Sequence, residues 1–196
     1  MNIVYRLLKN KKKNINKLAI SGEKELTYSD FWKLVINLAN FIKEKKFKKI
    51  CIFESTEFDY ICYISMFASL ISGATYIPVN CLTPNTRLKS ILKISAADIL
   101  ISKHSIKLNY DIKRLTEKKV LNLKKKNSFI PIKSNRDAYI IFTSGSTGEP
   151  KGVRISRPSL NNYISYITKY FFNDKIIRCS QHASIGFDLS VADIYG

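Results

Sequence analysis

The sequence has no Cys-x-x-Cys pair, and none of its four cysteines has a histidine at metal-ligand spacing. This excludes the common structural zinc patterns, and no metal site is expected. Cys51, Cys62, Cys81 and Cys179 each sit among apolar neighbours, so buried free thiols in a reducing, cytoplasmic compartment are expected. Also missing is a secretory signal. The opening MNIVYRLLKNKKKN has neither a long apolar stretch nor a small-residue cleavage site. No internal repeat and no linker rich in Pro, Gly or Ser divides the chain, so no internal domain boundary is expected. Acidic residues are scarce: 15 Asp and Glu stand against 33 Lys and Arg, for a net charge of +18. Such an excess raises the prospect of nucleic acid or an anionic membrane as partner. Its distribution argues against both. The lysine runs at 11–13, 45–46, 48–49 and 124–126 are scattered between apolar segments without interleaved aromatic pairs, as solvated loops and helix ends are.

A hydrophobic fraction of 45% indicates a globular chain, and 196 residues suffice for one substantial domain or a large piece of one. Tyr60 through Val79 carries no charged side chain and has the length to cross a bilayer. Ser65, Ser69, Ser72, Gly73 and Pro78 interrupt it, so a buried helix followed by a strand is expected, and no membrane span. The remaining pattern alternates short apolar strands with helices. Strands are predicted at Leu26–Tyr28, Ile50–Phe53, Thr75–Val79, Ile99–Ile101, Ala138–Phe142 and Ile176–Cys179. Helices are predicted at Phe31–Lys43 with Ser29-Asp30 as its cap, at Phe58–Ile71, at Pro84–Ser95 and at Leu160–Phe172. Residues 104–136 read as irregular connections with one or two edge strands. The whole predicts an α/β fold, a doubly wound and mostly parallel sheet covered on both faces. Ligands of such sheets bind beyond the carboxyl ends of the strands, which points to the loop after Ala138–Phe142.

That loop is the most informative segment. Tyr139–Val153 reads YIIFTSGSTGEPKGV, with Gly145, Gly148 and Gly152 leaving peptide N–H groups unobstructed. Thr143, Ser144, Ser146 and Thr147 add hydroxyls, and Lys151 adds a positive charge. Successive N–H groups in such a turn form a concave anion site, for which a polyphosphate is the natural guest. No register fits a Walker A loop.

The string resembles the phosphate-binding signature of the adenylate-forming superfamily, which includes acyl-CoA synthetases, luciferases and the adenylation domains of nonribosomal peptide synthetases. The resemblance implies that Thr143, Ser144, Gly145, Ser146, Thr147, Gly148 and Lys151 contact the phosphates of ATP, with Mg²⁺ helping to meet the charge. Three more segments extend it in the same order: Leu26-Thr27-Tyr28, then GATYIPV at 73–79 with TPNTRL at 83–88, then FDLSVADIY at 187–195. Relatives often carry Asp where this chain has Asn80, a position in a structural turn.

In amino-acid-activating members, the carboxylate matching Asp188 pairs with the substrate's α-ammonium. Burying an ammonium is costly unless an anion meets it, and acids without the charge are rejected. By the same resemblance, Leu189 and Ala192 line the side-chain pocket. His182 is a pocket or core residue with no acid–base role. The competing reading of Asp188 is the cap of a helix through Ser190–Tyr195.

The implied reaction is activation of an amino-acid carboxylate to aminoacyl-AMP with release of pyrophosphate, followed by transfer to a carrier-protein phosphopantetheine thiol. A basic surface would help attract ATP or an acidic carrier. The pattern also includes downstream segments that this chain does not contain, among them a small C-terminal domain with the family's catalytic lysine. The expectation is therefore a truncated N-terminal core over residues 1–196, without catalytic residues of its own, inactive alone and completed by a downstream polypeptide. Three alternatives stay open: an acyl-CoA synthetase or other carboxylic-acid ligase, a non-catalytic ATP-binding remnant, and a nucleic-acid binder.

Overall fold

The computed structural model describes residues 15–56, 59–144, 149–172 and 178–195. The chain begins with a small antiparallel pair, β1 (Leu18–Ile20) and β2 (Leu26–Thr27). Helix α1 (Tyr28–Glu44) follows at once, one turn earlier than the sequence predicts. Its cap is Thr27, whose Oγ1 accepts the Asp30 N–H at 3.1 Å, rather than Ser29-Asp30. The face formed by Phe31, Val35, Leu38 and Ile42 is buried, at the spacing an amphipathic helix requires.

Strand β3 (Lys49–Phe53) leads to α2 (Tyr60–Ile71) and then to β4 (Thr75–Val79), so the charge-free run is a buried helix and strand as expected. Asp59 caps α2 by accepting the Ile61 N–H at 2.9 Å. The serines inside this helix are satisfied by its own backbone. Ser65 Oγ donates to the Ile61 carbonyl and Ser69 Oγ to that of Ser65, both at 2.7 Å. Among the described residues, no helix is long and apolar enough to cross a membrane.

The next elements are α3 (Asn85–Ser95), β5 (Ile99–Ser102), β6 (Lys113–Thr116) and a short α4 (Glu117–Leu121). β6 is the expected edge strand of the polar region, whereas α4 was not anticipated. A long hairpin of β7 (Asp137–Ser144) and β8 (Pro150–Ser156) follows, then α5 (Arg157–Ile167), a π-helical turn (Thr168–Phe172) and α6 (Ser190–Tyr195). α5 starts three residues before the predicted Leu160 because Ser156 Oγ accepts the Ser159 N–H and Pro158 lies in the first turn. Of the strand expected at Ile176–Cys179, residues 176 and 177 lie outside the described residues, and Cys179 is not in a strand.

Six strands form one sheet in the order β6-β5-β3-β4-β7-β8, parallel throughout except for the antiparallel β7–β8 pair. Side chains alternate across it. Ile50 and Ile52 of β3 join α1 and α2 in one core, while Cys51 and Phe53 join Leu88, Ile91 and Leu92 of α3 in the other. A parallel sheet buried on both faces explains why its strands read as continuous apolar runs. The expectation of four buried thiols is half right. Cys51 and Cys62 are buried, Cys81 is half-buried and Cys179 is exposed.

Gly73 closes α2 at φ +76°, and a Cβ there would lie 3.1 Å from Ser134 Cβ and 3.3 Å from Ile132 Cβ. Gly73→Ala is therefore expected to lower the unfolding free energy by about 1–3 kcal/mol through backbone strain plus crowding. Urea unfolding of the two proteins measures the difference.

Candidate functional site

A cavity of about 660 Å³ opens at the carboxyl ends of β4 and β7, where an α/β sheet is expected to hold its ligand. Val79 and Asn80 form one wall, Thr143 and Ser144 another, and Phe187 and Asp188 reach in from the segment before α6. The structure thus brings Asp188 to the same cavity as the start of the glycine-rich loop, although 44 to 45 residues separate them in the chain.

The loop joins β7 to β8. Thr143 pairs with Lys151 and Ser144 with Pro150 across the ladder, so Thr143 and Lys151 share one face of the hairpin and Ser144 lies on the other. Gly145, Ser146, Thr147 and Gly148 lie outside the described residues. Thr143, Ser144 and Lys151 are all exposed, as donors awaiting a soluble ligand would be. Lys151 forms no ion pair with a described residue. At the far end of the hairpin, Arg154 Nε donates to Asp137 Oδ2 at 2.6 Å and pins β8 to the start of β7. Gly152 lets the strands carry large side chains close by. A Cβ there would lie 3.0 Å from Ile140 Cγ2 and 3.1 Å from Phe142 Cζ, and Phe142 lines the cavity.

Asp188 is exposed within the cavity wall, and its carboxylate makes no hydrogen bond or ion pair to a described residue. Its backbone carbonyl, not its side chain, accepts the Val191 N–H at 3.0 Å. The capping reading therefore fails on geometry, because the carboxylate is not spent on α6. Tyr139 is a neighbour that the sequence did not single out. Burial first, and then the nearby Asp188 carboxylate, push its phenol up to about 12, so it stays neutral beside that charge. The Tyr139 ring stacks on Tyr76 with centroids 5.3 Å apart, which fixes the cavity floor.

Other predicted residues fall elsewhere. Leu189 is 70% exposed and does not line this cavity. Ala192 is half-buried and packs against the main core. His182 is exposed, and its backbone N–H donates to Asp193 Oδ2 at 3.0 Å. No group of three or more ligating side chains that would suit a metal ion occurs among the described residues. Two polar residues missed by the sequence reading, Glu54 and Ser184, lie behind the cavity wall and are hydrogen-bonded to each other. The available signal for Glu54 was a carboxylate directly after an apolar strand, at the edge of the sheet where ligands bind.

Known proteins give a consistent picture. Over 182 residues the chain is 30% identical to tyrocidine synthase 3 of Brevibacillus parabrevis, covering 90% of this chain and 3% of that protein. It is 33% identical over 141 residues to the D-alanine–D-alanyl carrier protein ligase of Listeria monocytogenes serotype 4b, covering 67% of this chain and 28% of the ligase. The chain thus spans a minor part of the length of these relatives. Its fold superimposes on the nonribosomal peptide synthetase FmoA3, solved with AMPPNP bound, with a TM-score of 0.87 at 19% identity, covering all of this chain and 21% of that one. The AMP-binding enzyme family model matches residues 7–196, from before β1 to the end of the Asp188 segment, and the chain belongs to that family.

Proposed function

We propose that this chain carries the phosphate-binding and amino-group-binding parts of an enzyme that activates an amino acid with ATP. In this reading, an oxygen of the amino-acid carboxylate attacks the α-phosphorus of ATP. The bond to the bridging oxygen breaks, giving aminoacyl-AMP and pyrophosphate. A carrier-protein phosphopantetheine thiol then takes the aminoacyl group and AMP leaves.

The observation that carries the reading is the free carboxylate of Asp188 in one cavity wall, facing a second wall built from Thr143 and Ser144. A zwitterionic amino acid fits such a pair of walls: its ammonium is met at Asp188, and its carboxylate is directed toward the phosphates. Thr143, Ser144 and Lys151 would donate to the polyphosphate, together with the loop residues 145–148. Their contribution is positioning and charge stabilisation rather than proton transfer. Mg²⁺ would accompany the nucleotide. The described residues offer no ligating cluster for it. The names of the relatives support both the amino acid and the carrier, since one is a D-alanine–D-alanyl carrier protein ligase and another a nonribosomal peptide synthetase of Gibberella zeae.

Product analysis tests the reading. With this chain supplied together with the downstream polypeptide that completes the enzyme, α-labelled ATP and an amino acid are expected to give labelled aminoacyl-AMP and AMP, with pyrophosphate. Labelled ADP with inorganic phosphate would contradict it.

A further inference from the structure

One face of the β7–β8 pair borders the cavity, and its side chains change character along the strands. Tyr139 stands opposite Ile155, Ile141 opposite Val153, and Thr143 opposite Lys151. Of these six, all but Lys151 line the cavity. The face therefore runs from a phenol, past three aliphatic side chains, to a hydroxyl and a cation beside the glycine-rich loop. At about 3.3 Å per strand residue, Tyr139 and Thr143 lie about 13 Å apart. That leaves room for an amino acid laid end to end with phosphates held at the loop.

Tyr139 is the polar group at the far end. It is 5% exposed, and its hydroxyl makes no hydrogen bond to a described residue. Its ring lies on that of Tyr76 with the planes 28° apart, so packing holds the ring and the hydroxyl remains for a ligand. Asp188 borders the same cavity, near enough for its charge to disfavour ionisation of the phenol. A neutral hydroxyl and an unpaired carboxylate thus stand together at the end of the face away from Lys151.

The chemistry of an ammonium calls for such a pair. It has three hydrogens to give, and each one buried without an acceptor costs free energy. One carboxylate does not take them all. A phenol accepts with its oxygen and still gives its own hydrogen to the carboxylate or to water. It adds an acceptor beside Asp188 without adding a second negative charge, which two close carboxylates would do at a cost. Ile141, next along the face, offers an ammonium nothing, so recognition of the amino group is confined to the Tyr139 end.

We propose that Tyr139 contacts the substrate: its hydroxyl accepts from the α-ammonium alongside Asp188, and a phenol–carboxylate pair holds the amino group at the cavity floor. This rests on the reading in which Asp188 receives that ammonium. Its consequence is selective. Loss of the hydroxyl weakens the grip on an amino acid and leaves an acid without the amino group unaffected.

The test uses this chain completed with its downstream polypeptide. It reads pyrophosphate exchange with the preferred amino acid and with the same acid lacking the amino group. Tyr139→Phe keeps the ring and its stack on Tyr76 and removes only the hydroxyl. It is expected to lower kcat/KM for the amino acid about tenfold, with the deaminated acid and the KM for ATP within about twofold of the parent. Both acids are measured on one sample, so any loss of active protein cancels in their ratio. Tyr76→Phe removes a hydroxyl from the other ring of the stack, which does not line the cavity, and is expected to leave the ratio within about twofold. An unchanged ratio in Tyr139→Phe, or an equal fall in Tyr76→Phe, overturns the proposal. If Asp188→Ala lowers the ratio and Tyr139→Phe does not, the role of Asp188 stands and that of Tyr139 fails. If Tyr139→Phe lowers it and Asp188→Ala does not, the phenol contact stands and the role given to Asp188 fails.

Discussion

Asp188→Ala is expected to lower kcat/KM for the amino acid about a hundredfold while leaving the KM for ATP within about twofold. Removing one partner of a closely paired charge costs about 2–5 kcal/mol when the other is left without solvent or counter-ion. Asp188 is exposed in the cavity wall, so the lower end of that range applies. The substrate would keep part of its hydration in the variant, and screening by salt trims the loss further. The decisive feature is the asymmetry. A residue that only supported α6 would lower the active fraction and change both substrates alike. Asp188→Asn refines the result: it keeps the size and one acceptor oxygen but not the charge, and is expected to lose most of the hundredfold. Pyrophosphate-exchange kinetics with each substrate varied in turn gives both numbers.

Lys151→Ala is expected to have the second large effect, on the opposite substrate. Lys151 projects from β8 beside the hairpin turn, in register with Thr143. A polyphosphate there would meet a cation with no ion-pair partner among the described residues. Donors and charges aimed at a site where negative charge is redistributed contribute about 10²–10³ in rate. The variant is expected to lose about a hundredfold in kcat/KM for ATP, with the amino-acid KM nearly unchanged. Lys151→Arg keeps the charge but changes its shape and reach, so partial recovery is expected. Equal losses for both substrates in Lys151→Ala would show that the lysine stabilises the hairpin instead.

The main sheet was legible because its physics is local. β3, β4, β5 and β7 are buried on both faces and appear as unbroken apolar runs, and the helices between them carry the complementary period. The sheet's last strand was hidden. β8 begins inside the Gly-Glu-Pro-Lys-Gly string, and it alternates Val153 and Ile155 with Gly152, Arg154 and Ser156, which reads as loop continuing into a polar stretch. The start of α1 was misplaced because Thr27 and Ser29 are both good caps, and only the chain's exit from β2 decides between them. α4 was missed for lack of length: five residues give no period to read.

For the site, the glycine-rich loop announced itself by composition and spacing, and Asp188 by its segment. The convergence of the two on one cavity is a tertiary fact, set by β7 and the 184–188 segment both meeting β4. The hydrogen bonds that join Ser184 to Glu54 and Asn80 are likewise tertiary: Glu54 and Ser184 stand 130 residues apart, and the local signals were only a carboxylate directly after an apolar strand and an amide where relatives often carry Asp.

The central claim is that the site selects an acid that bears an α-ammonium. The most direct measurement is ATP–pyrophosphate exchange by this chain completed with its downstream polypeptide, with matched pairs of substrates, each amino acid against the same acid lacking the amino group. The account predicts exchange with at least one amino acid, a loss of about a hundredfold for its deaminated partner, and the disappearance of that preference in Asp188→Ala. Equal or better exchange with the deaminated acid would contradict it and would assign the site to simple carboxylic acids.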